Sequence, residues 1–371
     1  MIMDFELLNI ILFSFFILYF IQSIILIYGL FIDDKSFIEN SNEPVSIIVA
    51  ARNEELNIEH CLNSLIKIDY PKSLYEIIIV DDGSTDRTAE IIHNYVKTNS
   101  NIRYLSSIPS SGNLKGKANA LDQAIKIASN DIIMITDADC EVMPTWVLHT
   151  VKYFDKSVGV LAGFTLLKIK NWFHGLQSLD WTYILSLSAS TINLKIPLSC
   201  IGNNYCFRKT AYNEVGGYTA IKFSVTEDYS LFKAIINSGK WKYRFPMDKN
   251  RLVFSQPSPT WKILFQQKRR WAVGGLEMKL SGMLMMTIAF LFHLLLLISF
   301  FNNSNFTIPF LILLSKTIID FIYLFSASSF YNYNSQLKYF LHFQIYFIIS
   351  LFSTPFTAIF GGKVKWKGRE F

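Results

Sequence analysis

Asp137-Ala138-Asp139 closes an apolar run, Ile132 to Thr136, and sets two carboxylates one residue apart. Two such charges at the end of a buried strand cannot both give up their hydration unpaired. A divalent cation resolves the conflict. Oxygen ligands suit a hard ion such as Mg2+ or Mn2+, which fills its remaining positions with phosphate oxygens and water. An Asp-x-Asp by itself is more often a solvated turn, and the apolar strand directly before it sets this one apart.

Val80 to Asp86, VDDGSTD, follows another apolar run, Ile77 to Val80. Asp81 and Asp82 at a strand end can accept from base or ribose donors, while Gly83 permits a tight turn and Ser84 or Thr85 caps the next helix. A capped turn of this kind needs one acid, and here there are two. AARNEE, Ala50 to Glu55, stands in the same relation to the run Val45 to Ala50, so Arg52, Asn53 and Glu54 are candidates for a nucleotide or for a polar helix start. Lys115 and Lys117 in LKGKANAL lie where a loop enters a helix, and either would counter a diphosphate there.

Thr226-Glu227-Asp228 comes shortly after the glycine-rich VGGY, Val215 to Tyr218. An Asp set to take a proton from an acceptor hydroxyl is a general base, although a TED alone also reads as a helix start. In Gln267-Lys268-Arg269-Arg270-Trp271, Arg270 offers a planar fork suited to phosphate, and Trp271 offers a flat face for stacking. Out of context the same run reads as the basic, aromatic stripe of an interfacial helix.

The elements that must carry these residues follow from periodicity. From Val45 to about Tyr243, short β-rich runs alternate with amphipathic stretches, the pattern of a parallel sheet with crossover helices. Strands are predicted at Val45–Ala50, Ile77–Val80, Ile102–Leu105 and Ile132–Thr136. Helices are predicted at Ile58–Ile66, Thr85–Lys97 and Ala118–Ala128. In open sheets of this kind, ligands sit at the carboxyl ends of the strands, where the acidic motifs fall.

Around this polar middle the chain is apolar. Its 371 residues are 51% hydrophobic with 32 Phe, more than a water-soluble fold carries, so part of it belongs in lipid. Residues 7–31 form an apolar run long enough as a helix to cross about 30 Å of hydrocarbon, with no cleavage site, and read as a retained anchor. A solvated linker is expected at 32–44 and the catalytic domain at 45–255. An amphipathic interfacial segment with QKRRW follows at 256–282, then two to three transmembrane or re-entrant segments within 283–361 and a basic tail at 362–371. Phe306–Phe325, with Pro309 and the i,i+4 pair Lys316/Asp320, is the expected irregular segment.

The net charge of +6 contains no long basic block, which argues against nucleic acid and fits a mildly basic face on anionic lipid. Cys61, Cys140, Cys200 and Cys206 have no C-x-x-C spacing, so they read as reduced packing residues.

Taken in order, VDDGS, DAD, TED and QKRRW resemble the membrane-bound family 2 glycosyltransferases: cellulose, hyaluronan and poly-N-acetylglucosamine synthases and ceramide glucosyltransferase-like enzymes. The resemblance spans about Val45 to Trp271. It implies an α/β GT-A domain flanked by transmembrane helices, with the catalytic domain cytosolic and the chain multi-pass in the cell membrane. It implies Arg52, Glu54, Asp81, Asp82, Lys117 and Asp137 at the nucleotide sugar and Asp137 with Asp139 at Mg2+ or Mn2+. Asp228 would be the base, and Gln267, Arg270 and Trp271 would stand at the diphosphate and acceptor. GNNYCFRK, Gly202 to Lys209, falls where the family lines its acceptor pocket.

The implied reaction is an inverting, in-line transfer from a nucleotide-diphosphate sugar, by family default a UDP-sugar, to a lipid or glycan acceptor. Polymer synthases of the family carry more membrane segments, and the ending KVKWKGREF resembles the Trp-plus-basic tails of its lipid-modifying members, so the resemblance implies a membrane lipid or lipid-linked acceptor. The alternatives are a processive polysaccharide synthase and, from another class, a non-catalytic membrane scaffold that keeps the fold.

Overall fold

The computed structural model describes residues 5–32, 38, 41–110, 112, 114–222, 224–275, 278–302, 306–360, 365–366 and 369–370. The linker expected at 32–44 and the basic tail expected at 362–371 lie largely outside them.

Helix α1 is Phe5–Phe31, followed by β1 Val45–Ala51, α2 Ile58–Leu65, β2 Tyr75–Asp81 and α3 Thr88–Thr98. Next come β3 Ile102–Ser106, α4 Gly116–Ile127, β4 Ile132–Asp137, β5 Cys140–Val142 and α5 Trp146–Val151. The middle of the chain holds β6 Val158–Ala162, β7 Thr165–Leu167, α6 Trp172–Asn193, β8 Tyr205–Arg208, α7 Lys209–Glu214 and α8 Gly217–Ala220. The remainder is α9 Glu227–Asn237, β9 Lys242–Arg244, β10 Val253–Ser255, α10 Trp261–Gly275, α11 Leu280–Asn302, α12 Thr307–Phe330 and α13 Phe340–Phe360. The strands and helices expected through Thr136 all form, within a few residues at their ends.

Seven strands make one sheet in the order β3-β2-β1-β4-β8-β6-β9. Helices cover both faces of such a sheet, which is why VSIIVAA in β1 is almost wholly buried instead of alternating. Register sets the site. Ala51 of β1 pairs with Asp81 of β2, and Ala50 pairs with Asp137 of β4, so the carboxyl ends of three parallel strands finish level. On the other side of β4, β8 runs antiparallel.

The chain divides into two compact units, and the division cuts the stretch expected to be one catalytic domain. Asp33–Lys168 and Ser199–Arg270 belong to the α/β unit, whereas Ile169–Leu198 joins the helical unit with the segments at either end of the chain. The physical reason lies in α6, whose buried face is polar. Its Ser178 donates to Gln336 Oε1 over 2.7 Å, and Gln336 donates in turn to Ser328 Oγ over 2.9 Å. A helix with a Ser/Thr face does not read as an apolar span.

Among the described residues, four helices are long and apolar enough to cross a membrane: Glu6–Phe31, Leu280–Asn302, Thr307–Phe330 and Asn334–Thr357. The segment expected to be re-entrant or interfacial, Phe306–Phe325, lies within the continuous helix α12, with Pro309 in its first turn, where its missing N–H costs little. The departure from regular helix sits further on, in a 3-10 turn at Asn334–Tyr339 and at Pro355 inside α13. Lys316 and Asp320 are both buried and 2.8 Å apart. Tyr19 of α1 donates to Asp320 over 2.7 Å, and Lys316 donates to Gln344 of α13. The charges thus join three helices.

Candidate active site

The turns after β1 and β2 are built against each other. Gly83 adopts φ +68°, a left-handed value that disfavours other residues, and Arg52 Nη1 donates to the Asp82 carbonyl over 2.5 Å. Asn53, also left-handed at φ 51°, accepts from Thr85 N through Oδ1 and donates its own N–H to Ser84 Oγ. Asp81 accepts from Ser84 N and Oγ, and Tyr104 OH donates to its other oxygen over 3.3 Å. Glu54 accepts from Asn57 Nδ2 over 2.8 Å. These contacts brace the turns, leaving Asp82 as the acid beside open space.

That space is a cleft of about 560 Å³ lined by Asp82, Gly83, Ser107, Pro109, Lys115 and Asn119, among others. Its volume lies within the roughly 300–1,000 Å³ of small-molecule sites. Ser107 Oγ donates to Asp82 Oδ1 over 3.2 Å, and Asn119 Nδ2 holds the Ile108 carbonyl over 2.9 Å. The wall formed by Ser107 to Ser110, Gly112 and Leu114 is not legible in the sequence, since it carries no charged motif.

At the end of β4, Asp137 is reached by Lys117 from the first turn of α4, with Nζ 2.5 Å from Oδ1. The same Nζ lies 3.4 Å from Glu227 Oε1 at the start of α9. Burial pulls the Lys117 ammonium down, but Asp137, Glu227 and Asp228 outweigh it and hold the group above the usual lysine range. One side chain therefore joins the DAD and TED motifs, 90 residues apart in sequence by number (137 and 227).

Asp228, the second residue of α9, is gripped from two sides. Gly202 N–H donates to Oδ2 over 2.6 Å, and Tyr229 N–H donates to Oδ1 over 2.8 Å. Burial pushes the carboxyl up to about 6, with Glu227 adding to the rise, while Lys117, the Tyr229 N–H and Arg270 pull the other way. A carboxylate so poised changes protonation near neutral pH, as a general base must.

Arg270 and Gln267 lie on α10. Arg270 Nη1 donates to the Val225 carbonyl over 3.4 Å, just before TED, and Ser258 donates to Gln267 Oε1 over 3.2 Å. Trp271 is the next residue, but it falls within the helical unit, where its ring faces Trp181 at 5.1 Å between centroids.

Asp137, Glu227, Asp228, Lys117 and Arg270 thus belong to one electrostatic neighbourhood. Asn203 and Asn204 do not face it. Asn203 accepts from Thr165, and the fully buried Asn204 accepts from Trp146 Nε1 while donating to the Phe164 and Arg251 carbonyls. In this turn the group facing Asp228 is the Gly202 backbone N–H. The cysteines are free and buried, and burial raises the thiols of Cys61 and Cys140 beside Asp139 and Asp137.

Among the described residues, no three His, Cys, Asp or Glu side chains gather into a protein-only metal cage. Asp137 and Asp139 nevertheless fit an Mg2+-like ion, which takes one or two carboxylates from protein and completes its shell with phosphate and water. Both are partly exposed oxygen donors at a strand end.

Residues 46–230 match the sequence profile of the family described as Glycosyl transferase family 2. The poly-beta-1,6-N-acetyl-D-glucosamine synthase of Staphylococcus epidermidis is 27% identical over 350 residues, covering 88% of this chain and 80% of that protein. The beta-monoglucosyldiacylglycerol synthase of Nostoc sp. is 29% identical over 249 residues, covering 65% of this chain and 50% of that protein, so the chain spans half the length of this second relative. Among solved structures, the mannosyltransferase PcManGT of Pyrobaculum calidifontis, in complex with GDP-Man and Mn2+, superimposes with a TM-score of 0.60. The alignment covers 96% of this chain and 99% of that one, at 16% identity, a likeness of fold.

Proposed function

The chain belongs to the family 2 glycosyltransferases, and we propose that it moves one sugar from a nucleotide-diphosphate sugar to a membrane lipid or lipid-linked acceptor, with inversion at the anomeric carbon. The observation that carries this reading is the Asp228 carboxyl, held by Gly202 N–H and poised near 6, in the same charge cluster as Lys117 and Asp137.

In this reading the cleft beside Asp82 takes the nucleoside, and Arg52, Glu54 and Asp81 brace the turns that border it. Asp228 removes the proton of the acceptor hydroxyl, whose oxygen then forms a bond to the anomeric carbon. The bond from that carbon to the phosphate oxygen breaks, and its electron pair leaves with the nucleoside diphosphate. Arg270 and Lys117 meet the growing charge on that leaving group, and Gln267 keeps α10 in place through Ser258. Asp137 and Asp139 would hold a divalent ion, Mg2+ or Mn2+, which supplies further positive charge at the diphosphate.

Four long apolar helices among the described residues support a membrane protein, and the proposed setting is the cell membrane with the α/β unit on the cytosolic side. A second reading, repeated addition to a growing polymer, draws on the Staphylococcus relative, whose alignment reaches across 88% of the chain. The test is a panel of nucleotide sugars given to the detergent-purified full chain with diacylglycerol and polyprenyl-phosphate acceptors, in Mn2+, Mg2+ or chelator. A product one sugar heavier than its acceptor, lost in chelator, supports the proposal. A ladder of long products supports the polymer reading instead, and undiminished turnover in excess chelator removes the ion from it.

A further inference from the structure

Lys117 stands where a cation is called for. Its ammonium is in contact with one oxygen of Asp137 and within reach of Glu227, whose side chain is only 11% exposed. An ammonium and a divalent ion drawn to the same carboxylate compete for it, because like charges close together repel in a partly buried site. Yet the lysine need not leave the cluster. Its four-carbon stem is flexible, and Glu227, at the start of α9, supplies a second anchor.

We propose that Lys117 is a resident cation competing with the divalent ion for Asp137, so that the ion binds weakly until a diphosphate offers the displaced ammonium a new partner. This rests on the reading of Asp137 and Asp139 as ion ligands given above. Ion and nucleotide then reinforce each other's binding, and by linkage the reinforcement is reciprocal. Lys117 acts through Asp137 and is a positioning residue for the ion.

Mn2+ binding to the detergent-purified full chain, read from the paramagnetic resonance signal of the free ion, tests this without turnover. The arms are wild type, Lys117→Gln, Lys117→Arg, Asp137→Asn and Lys115→Gln, each with and without UDP. Lys115→Gln removes the same charge from the neighbouring exposed loop position and reports the general field. Without nucleotide, Lys117→Gln is expected to bind Mn2+ about tenfold more tightly than wild type, and at least severalfold more tightly than Lys115→Gln. Lys117→Arg should stay close to wild type, and the tightening that UDP gives wild type should shrink in Lys117→Gln. Misfolding would not strengthen ion binding. Equal effects of Lys117→Gln and Lys115→Gln, or weaker binding in Lys117→Gln, overturn the competition while leaving the ion site intact. Unchanged Mn2+ binding in Asp137→Asn overturns the ion site and the competition with it.

Discussion

The backbone N–H of Gly202 points at Oδ2 of Asp228 from 2.6 Å and fixes where that carboxylate can stand. The glycine is required by space, since a Cβ there would come within 2.9 Å of the Asp228 Cβ and 3.0 Å of Oδ2. Gly202→Ala must therefore move Asp228. Displacement of a reacting group by an ångström can cost about a hundredfold in rate. The variant should lose roughly that much in kcat and keep its donor affinity, checked by initial rates beside nucleotide titration. Unchanged kcat would mean that Asp228 tolerates being moved.

The raised Asp228 carboxyl sets a pH dependence. A pKa lifted from 3.8 to about 6 favours the neutral acid, which cannot accept a proton, so the working form predominates only above about 6. The logarithm of kcat/KM should climb with unit slope below that pH and level off above it. Measured from pH 4.5 to 8 in detergent, a profile flat down to the ordinary carboxylate range would contradict the assignment.

Asn204 makes three hydrogen bonds inside the α/β unit, with Trp146, Phe164 and Arg251. Asn204→Ala leaves those groups unpaired in a dry interior and should destabilise the unit by about 3 kcal/mol, seen as a lowered thermal midpoint. Gly163→Ala should act on the same contact from the other side, because its Cβ would lie 2.5 Å from Asn204 Cγ.

Lys316 and Asp320 neutralise each other inside the helical unit. Lys316→Met strands a buried carboxylate, a loss of about 3 kcal/mol on insertion scales, whereas Lys316→Met with Asp320→Leu removes both charges. Thermal unfolding in detergent should place the double variant above the single one. The reverse order would mean that the pair contributes little.

Much of this site was legible in sequence because strands buried on both faces read as unbroken apolar runs, and such runs ended at Asp81 and Asp137. Their level arrangement follows from parallel register. The contacts that assemble the site were hidden, since Lys117 meets Glu227, and Gly202 meets Asp228, only after the chain has folded back. The inward direction of Asn203 and Asn204 is not legible in sequence, because polarity alone does not reveal which way a side chain points. Helix α6 is hard to read for a related reason: its Ser178 and Thr182 hydroxyls meet Gln336, more than 150 residues away in sequence by number (178 and 336).

Asp228→Asn offers the most direct test of the account. The amide keeps the shape of the side chain and cannot take the acceptor's proton. With nucleotide sugar and acceptor supplied to the purified chain, the variant should bind donor as wild type does and lose transfer by about a hundredfold or more. Transfer at the wild-type rate would remove Asp228 from the base role and the proposed mechanism with it.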